Sequence, residues 1–406
     1  MDNTTNRISI WLAWFTVSVF YAYQYILRIL PNVLMPEIMK RFHIDADIFE
    51  QFTDIYYIAY IGMHLPIGTW LDRKGPKYVI PSCIFISVAG VLPLLYSDSW
   101  VMAYIAIALI GFGSCGAILG LFKVVHLGFP ENKFSRMLGI GVAIGLLGAS
   151  YGSQPVSELF AIYGYERVIR YIIYIGLALA VVSYFTMPQA RGVRNDEIDF
   201  KKDFSALWKK KKIFLIGIFA GLMIGPLEGF ADAWGTSFLE TVYAFNKDQA
   251  TFLSSLIFLG MCVGASIISY IANKTRCYYS VIILSAFFMA GAFLLILFTK
   301  VNMNLLILLL FVIGLFCAYQ VLAVYKSITY VKEGLVGLAT ATVNMIFMSF
   351  GYFFHSIIGR ILQATGGGKI VDGVPIYSAN SFIYGVSVIP IALILGAFGF
   401  LWMRKK

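Results

Sequence analysis

The first apolar segment of the sequence carries a line of polar and aromatic residues around one arginine. Spacings of three and four residues place them on one face of a helix, and the members are Tyr21, Gln24, Tyr25, Arg28 and Asn32. A guanidinium group offers a planar fork of donors that suits a carboxylate or a phosphate, and tyrosines add aromatic walls with hydroxyl groups. We predict that this face binds an anionic substrate. The alternative is that Arg28 forms a structural ion pair with a carboxylate of another helix.

Two acids in a later apolar segment form a second candidate site. Glu228 and Asp232 are four residues apart, and Thr236 follows at the same spacing. Two carboxyl groups this close in a cavity of low dielectric constant cannot both ionise cheaply, so one should hold a proton at neutral pH. We therefore predict a role in proton coupling. An ion pair between Glu228 and Arg28, serving as a gate or a scaffold, is the alternative.

Other polar residues in apolar segments are weaker candidates for the same cavity. Hydrogen bonding between helices explains each of them equally well; they are Gln154, Tyr319, Gln320 and Asn344. Asp54 is a third candidate for proton coupling, or an acid favoured by the dipole at the start of its helix.

Cysteines and histidines give no sign of a metal site or an enzyme. The five cysteines are odd in number and have no CxxC or CxxH spacing, and the four histidines are scattered along the chain. An enzyme would need nucleophile and base groups that converge near an interface. We expect no metal, no cofactor and no catalytic residue.

The composition requires these residues to be positioned by membrane helices. Of 406 residues, 60% are hydrophobic and 13% are charged, whereas soluble domains have about 45–50% and about 25%. A spanning helix uses about 20 apolar residues, so twelve would leave only short loops. We predict an all-α membrane protein with helices at 8–33, 52–72, 77–96, 100–122, 136–159, 165–187, 213–240, 249–272, 278–299, 303–325, 336–362 and 381–403.

The basic residues predict the orientation of the chain. With alternating crossings, 22 of the 31 Lys and Arg residues lie on the side of the N-terminus, which places both termini in the cytoplasm by the positive-inside rule. These residues alternate with apolar runs instead of forming one basic face, so we expect no nucleic-acid partner despite the net charge of +10. A basic cytoplasmic linker, 191–212, is predicted to divide the chain into a six-helix half, 1–190, and a second half, 213–406.

The loop after the second segment reads GTWLDRKGPK from Gly68 to Lys77. It resembles the G-x-x-x-D-R-x-G-x-K/R signature of the major facilitator superfamily, at the cytoplasmic location where that family has it. The resemblance covers the whole chain and implies two pseudo-symmetric six-helix halves. It further implies a conformational latch formed by Gly68, Asp72, Arg73, Gly75 and Lys77. The corresponding stretch of the second half, 273–276, lacks the acid and the glycine, so the latch is expected to be one-sided.

Two short stretches are similar to a bacterial branch of that superfamily, the phagosomal nutrient transporters. They are Tyr25 to Pro31 in the first segment and Trp234 to Leu239 in the seventh. The branch is associated with amino-acid uptake, and this resemblance favours an amino acid as substrate.

Together these patterns predict a secondary transporter that works by alternating access around a cavity at the midplane. We expect a monomer that moves a small solute with a carboxylate, an amino acid first, across the bacterial cytoplasmic membrane by proton symport. The sequence leaves the direction of transport open. Organic anions, phosphate esters, dipeptides and siderophores would satisfy Arg28 equally well. A membrane receptor that uses the same scaffold without moving a solute is the rival interpretation. The expected partners are the substrate, protons and the lipid bilayer.

Overall fold

The computed structural model describes residues 3–44, 46–152, 154–189, 200–366, 369–371 and 374–405. Nearly all of them are helical. Contacts between Cα atoms divide the chain into two compact units. The first comprises Met1–Lys209 with Val331–Met345, and the second comprises Lys210–Tyr330 with Ile346–Lys406.

The first unit is a helical bundle. Its described helices are α1 (Asn3–Val33), α2 (Met35–Phe42), α3 (Ala46–Arg73), α4 (Pro76–Tyr96), α5 (Trp100–Gly128), α6 (Glu131–Gly152), α7 (Gln154–Tyr163), α8 (Tyr165–Thr186) and α9 (Phe200–Trp208).

The fourth predicted segment, α5, is the most enclosed helix of this unit and packs against α3 and α4. Glycines make this possible because a side chain would remove the close backbone approach. A Cβ on Gly111 would overlap the carbonyl oxygen of Tyr56 in α3, and one on Gly113 would overlap that of Cys83 in α4. The two glycines therefore allow α3 and α4 to pack closely against α5.

The second unit is also helical, but three of its spans are interrupted. It contains α10 (Lys211–Leu222), a π-helix (Gly225–Trp234), α11 (Gly235–Tyr243), α12 (Lys247–Thr275), α13 (Tyr278–Phe298), α14 (Met303–Cys317), α15 (Tyr319–Ile328), most of α16 (Val336–Gly366), α17 (Ala379–Val386) and α18 (Val388–Lys405). The breaks follow Leu222, Cys317 and Val386. Residues 336–345 of α16 belong to the first unit.

Where the structure describes them, all twelve predicted segments are largely helical, apart from the three breaks and two terminal residues, Met187 and Thr299. By length and composition, nine described helices can cross a membrane, and the pair Lys211–Leu222 and Gly225–Tyr243, bent by 41°, forms a tenth. The other two predicted segments are the second, which corresponds to α3, and the fifth, which corresponds to α6 with α7. The apolar part of α6, Arg136–Gly148, is shorter than a span. The predicted all-helical membrane fold is confirmed.

Two connections differ from simple loops. Residues 191–199 of the predicted linker lie outside the described residues, and the remainder begins as α9, whose Leu207 is buried. Near the last helix, β1 (Lys369–Val371) pairs antiparallel with β2 (Val374–Ile376) in a two-stranded hairpin.

Candidate functional site

Tyrosines from two helices hold Arg28. Its Nε and Nη2 atoms donate hydrogen bonds to Tyr57 Oη of α3, at 3.2 and 3.0 Å. The guanidinium carbon lies 5.0 Å from the centroid of the Tyr57 ring and 5.7 Å from that of Tyr25 on α1. Cation–π contacts of this kind contribute about 0.5–2 kcal/mol, depending on desolvation. Aromatic side chains of α1 and α3 therefore orient the guanidinium group.

The structure brings most of the predicted face of α1 together. Gln24 is buried, and its Oε1 accepts a hydrogen bond from Tyr56 Oη at 3.0 Å. The hydroxyl oxygens of Tyr21 and Tyr25 are 3.3 Å apart. Asn32, one turn beyond Arg28, is exposed. The site in the first unit is therefore a tyrosine-lined arginine with one buried amide beside it.

Tyr57 is a site residue that the sequence analysis did not identify. The available signal was the presence of three tyrosines, Tyr56, Tyr57 and Tyr60, within five residues of an apolar segment. Asp54 is half-buried. It lies three residues before Tyr57, and residues at this spacing share a face of a helix. This face combines an acid with the hydroxyl that accepts from Arg28.

The two acids of the second unit lie on the π-helix. Glu228 is buried, with 8% of its surface exposed, whereas Asp232 is exposed. The π-helix begins with Gly225 and Pro226, just after α10 ends. π-Helical segments are rare and occur frequently at functional sites. Sequence spacing treated the acids alike, but the structure distinguishes a buried carboxyl group from an exposed one.

Side chains of other helices support the π-helix. Ser254 Oγ of α12 donates to the carbonyl oxygen of Ala231 at 3.1 Å. Trp234 Nε1 donates to the carbonyl oxygen of His355 in α16 at 3.2 Å. A Cβ built on Gly351 of α16 would lie 3.3 Å from Glu228 Cβ. The glycine therefore leaves room for the Glu228 side chain against α16.

Tyr319 and Gln320 lie directly after the break between α14 and α15. Tyr319 is fully buried, and its hydroxyl donates to the carbonyl oxygen of Ala220 in α10 at 2.7 Å. Gln320 Nε2 is buried and has no hydrogen-bond partner within the described part of the chain. A buried amide nitrogen without a partner costs about 1–3 kcal/mol. Gln320 is thus available for a ligand, whereas Tyr319 has a structural bond.

Asn344 contacts a histidine of the first unit. Its Nδ2 lies 2.7 Å from His64 Nε2, and His64 Nδ1 lies 2.7 Å from the carbonyl oxygen of Tyr60. The Cys115 sulfur is 3.4 Å from the same Nδ1. Both nitrogens of this fully buried imidazole are therefore engaged, and a substrate would have to compete with His64 for the Asn344 amide.

Asp72 of the signature loop caps the start of α16. Its Oδ1 accepts from the Gly337 backbone nitrogen at 2.8 Å, and its Oδ2 accepts from that of Leu338 at 2.9 Å. Lys123 Nζ of α5 donates to Oδ1 at 2.5 Å. The side chains of Asp72 and Lys123 are 2% and 4% exposed. Lys123 was missed because a lysine at the end of an apolar segment suggested only orientation in the membrane.

The remaining residues of the loop have separate roles. Gly68 allows close approach to α16, because a Cβ there would lie 2.6 Å from the Cβ of Ala341. Arg73 pairs with Asp203 of α9. Gly75 has a φ of 78°, which favours glycine at the turn before α4. Lys77 Nζ lies 5.7 Å from the centroid of the Tyr184 ring.

Gln154 is the first residue of α7. Its side chain lies outside the described part of the structure, and its predicted role in substrate binding stays a prediction.

The comparison with known protein families identifies one family for most of the chain. The Major Facilitator Superfamily matches residues 14–356. "Uncharacterized transporter YybO" of Bacillus subtilis (strain 168) is 23% identical over 298 residues, which cover 66% of this chain and 68% of the relative.

Solved structures share the fold. The transporter FucP in the outward conformation has a TM-score of 0.75 at 12% identity, covering 98% of this chain and 100% of FucP. A bacterial homologue of the iron transporter ferroportin in the outward-facing state has a TM-score of 0.73 at 13% identity, covering 98% and 100%. At such identities the likeness concerns the fold alone.

Proposed function

This chain belongs to the major facilitator superfamily, whose members are membrane transporters and not enzymes, and we propose that it imports a small carboxylate by proton symport. An amino acid is the first candidate substrate. Import takes place across the cytoplasmic membrane of a bacterium, with both termini in the cytoplasm and the monomer as the working unit.

The observation that carries this proposal is the orientation of Arg28 by Tyr57 and Tyr25. The Tyr57 hydroxyl and the two aromatic rings orient the guanidinium, and a guanidinium group suits a carboxylate because its planar fork of donors matches the two oxygens. The hydroxyls of Tyr21 and Tyr25 offer acceptors for an ammonium group. The same residues provide aromatic surface for the apolar part of an amino acid.

Glu228 is the proposed proton carrier. It is buried on a π-helix, where the carboxylate form is costly unless it is stabilised, and protonation removes that cost. Asp232, on the same π-helix, is exposed. Proton binding to Glu228 would therefore change the stability of the interrupted span formed by α10, the π-helix and α11.

Asp72 is the proposed latch. Its carboxylate holds the first turn of α16 through two backbone bonds, and a negative charge at a helix N-terminus is also favoured by the dipole. In the transport cycle these bonds form in one state and break in the other.

Uptake into proteoliposomes tests the proposal. The purified protein would be reconstituted with an acidic exterior, and accumulation of radiolabelled amino acids would be compared between the parent, Arg28→Ala and Arg170→Ala. Arg170 is an exposed arginine that pairs with Glu166, four residues before it, and serves as the control. We expect accumulation by the parent and the control but not by Arg28→Ala. Equal uptake by all three proteins would contradict the carboxylate site.

Competition experiments identify the substrate class. Organic anions, phosphate esters, dipeptides and carboxylate siderophores would be added in excess during amino-acid uptake. If the protein accumulates one of these competitors, that compound, and not the amino acid, is identified as the substrate. Saturable binding of an amino acid without accumulation would instead support a receptor.

The orientation has its own test. Cysteines replacing the exposed Lys332 and Lys300, in a background without native cysteines, would be treated with an impermeant thiol reagent on intact cells. We expect labelling at position 300 and protection at position 332.

A further inference from the structure

One end of the second unit gathers lysines and tyrosines into a single cluster. Lys326 Nζ, near the end of α15, lies 5.6 Å from the ring centroids of Tyr278 and Tyr279 and 5.7 Å from that of Tyr330. Lys212 Nζ, at the start of α10, lies 5.5 Å from the Tyr330 ring. Three sequence-distant elements therefore bring two ammonium groups onto the same aromatic surface. We call these five residues the lysine–tyrosine cluster.

The hydroxyl groups of this cluster form a fixed frame. Tyr279 Oη and Tyr330 Oη are 2.9 Å apart. Tyr278 Oη donates to Asn273 Oδ1 at 2.7 Å. Aromatic rings attract a cation through their faces but do not neutralise its charge. The frame therefore presents the Tyr330 ring to both lysines, whose Nζ atoms lie 5.5 and 5.7 Å from its centroid.

No carboxylate of the described residues lies within 4.0 Å of either ammonium group. Further basic side chains at the same helix ends, those of Lys210, Lys211, Lys274 and Arg276, are exposed. This end of the unit therefore carries a concentrated positive charge that suits a bound anion.

An apolar surface follows the cluster along α13 and α18. Eight residues after Tyr279 in α13, the ring centroid of Phe287 lies 6.4 Å from that of Phe398 in α18. These two side chains are 42% and 58% exposed. A ligand with an anionic group and long apolar chains could contact both surfaces at once. A soluble anion would use only the first.

We propose that the lysine–tyrosine cluster binds the phosphodiester headgroup of an anionic membrane phospholipid. Lys326 and Lys212 donate to the phosphate oxygens, and the acyl chains lie along the exposed side chains of α13 and α18, including Phe287 and Phe398. The lipid would thereby join α10, α13, α15 and α18 at one end of the second unit.

Lipid competition in detergent micelles tests the site. The purified full chain would be mixed with spin-labelled phosphatidylglycerol, and unlabelled phosphatidylglycerol, phosphatidylcholine or inorganic phosphate would compete for it. The variants are Lys212→Gln/Lys326→Gln and, as a control with the same loss of charge, Lys247→Gln/Lys300→Gln, whose lysines are exposed elsewhere in the second unit. Tyr279→Phe removes one hydroxyl with little effect on packing.

We expect the parent and the control to prefer phosphatidylglycerol over phosphatidylcholine. The cluster variant should lose about fivefold of that preference for each lysine removed, by the attraction of one basic residue to an anionic surface. Tyr279→Phe should show a smaller loss in the same direction, and it reports on the site if the double variant does not fold.

Three results would overturn the proposal. The first is an unchanged preference in the cluster variant and in Tyr279→Phe. The second is an equal loss in the control, which would show general surface charge. The third is displacement of the labelled lipid by inorganic phosphate at matched concentration, which would show a site for soluble anions.

Discussion

The two units place their buried ionisable groups on different kinds of backbone. In the first unit, Arg28 lies on the continuous helix α1, and Asp72 with Lys123 joins α3 and α5. In the second unit, Glu228 lies on a π-helix at a 41° bend. A regular helix fixes the position of a side chain, whereas π-helical segments are rare and occur frequently at functional sites. We infer that the first unit provides recognition and the latch, and that the π-helix of the second unit provides a responsive element.

The largest expected effect tests the responsive element. Glu228→Gln removes the proposed titrating group at nearly constant volume, so accumulation driven by an acidic exterior should fall to simple equilibration. Counterflow of substrate should persist, because a loaded carrier can still move without a proton. Both rates would be measured in the same proteoliposomes.

Asp232→Asn is the matched control for this prediction, since it removes an exposed acid from the same π-helix. It should retain most of the proton-driven accumulation. If Asp232→Asn abolishes accumulation and Glu228→Gln does not, the roles of the two acids are reversed.

The next effect concerns the latch formed by Asp72. Asp72→Asn leaves Lys123 as a buried charge without its ionic partner, and breaking one side of a buried pair costs about 3–5 kcal/mol. Thermal unfolding in detergent should therefore show a large loss of stability. The double variant Asp72→Asn/Lys123→Met removes both charges and should recover much of that loss.

The same pair of variants separates stability from transport. The double variant still lacks the charged cap on α16, so it should fold well and transport poorly. Normal transport by the double variant would mean that the Asp72 carboxylate is a structural group only.

A third prediction addresses recognition. Arg28→Ala removes a charge-assisted hydrogen bond worth about 1.5–3 kcal/mol, which corresponds to about one to two decades in the dissociation constant. Binding would be measured calorimetrically with the substrate found by uptake. Arg28→Lys keeps the charge but loses the fork, and it should fall between the parent and Arg28→Ala. Equal affinity of the parent and Arg28→Ala would end the carboxylate hypothesis.

Local periodicity was sufficient for much of this architecture. Apolar runs predicted all twelve helical segments, and the spacing from Tyr21 to Arg28 predicted a shared face because α1 is a regular helix. The signature from Gly68 to Lys77 predicted where a latch should lie. These features depend on residues that are close in the chain.

Local sequence patterns could not predict pairings between residues that are distant in the chain. Nothing near Lys123 indicates that it meets Asp72, and nothing near Tyr57 indicates that it accepts from Arg28. The π-helix was missed because a spacing of four residues was interpreted with α-helical geometry, although Gly225 and Pro226 marked an irregular start. The assignment of residues 331–345 to the first unit also depends on packing, which a hydropathy pattern does not contain.

The smallest expected effect tests how far the first unit's rigidity contributes to recognition. Tyr57→Phe keeps the ring beside the Arg28 guanidinium but removes the hydroxyl that accepts its two hydrogen bonds. A hydrogen bond to a charged group contributes about 1.5–3 kcal/mol, but this one orients Arg28 and does not contact the substrate. Only part of that free energy should therefore be lost from binding, and substrate affinity should weaken by about two- to tenfold. Because Arg28 itself remains, the substrate range should not change.

Tyr96→Phe, which alters an exposed tyrosine at the end of α4, is the control and should bind as the parent does. If Tyr57→Phe weakens binding as much as Arg28→Ala, Tyr57 contacts the substrate directly, and the distinction between an orienting tyrosine and a binding arginine fails.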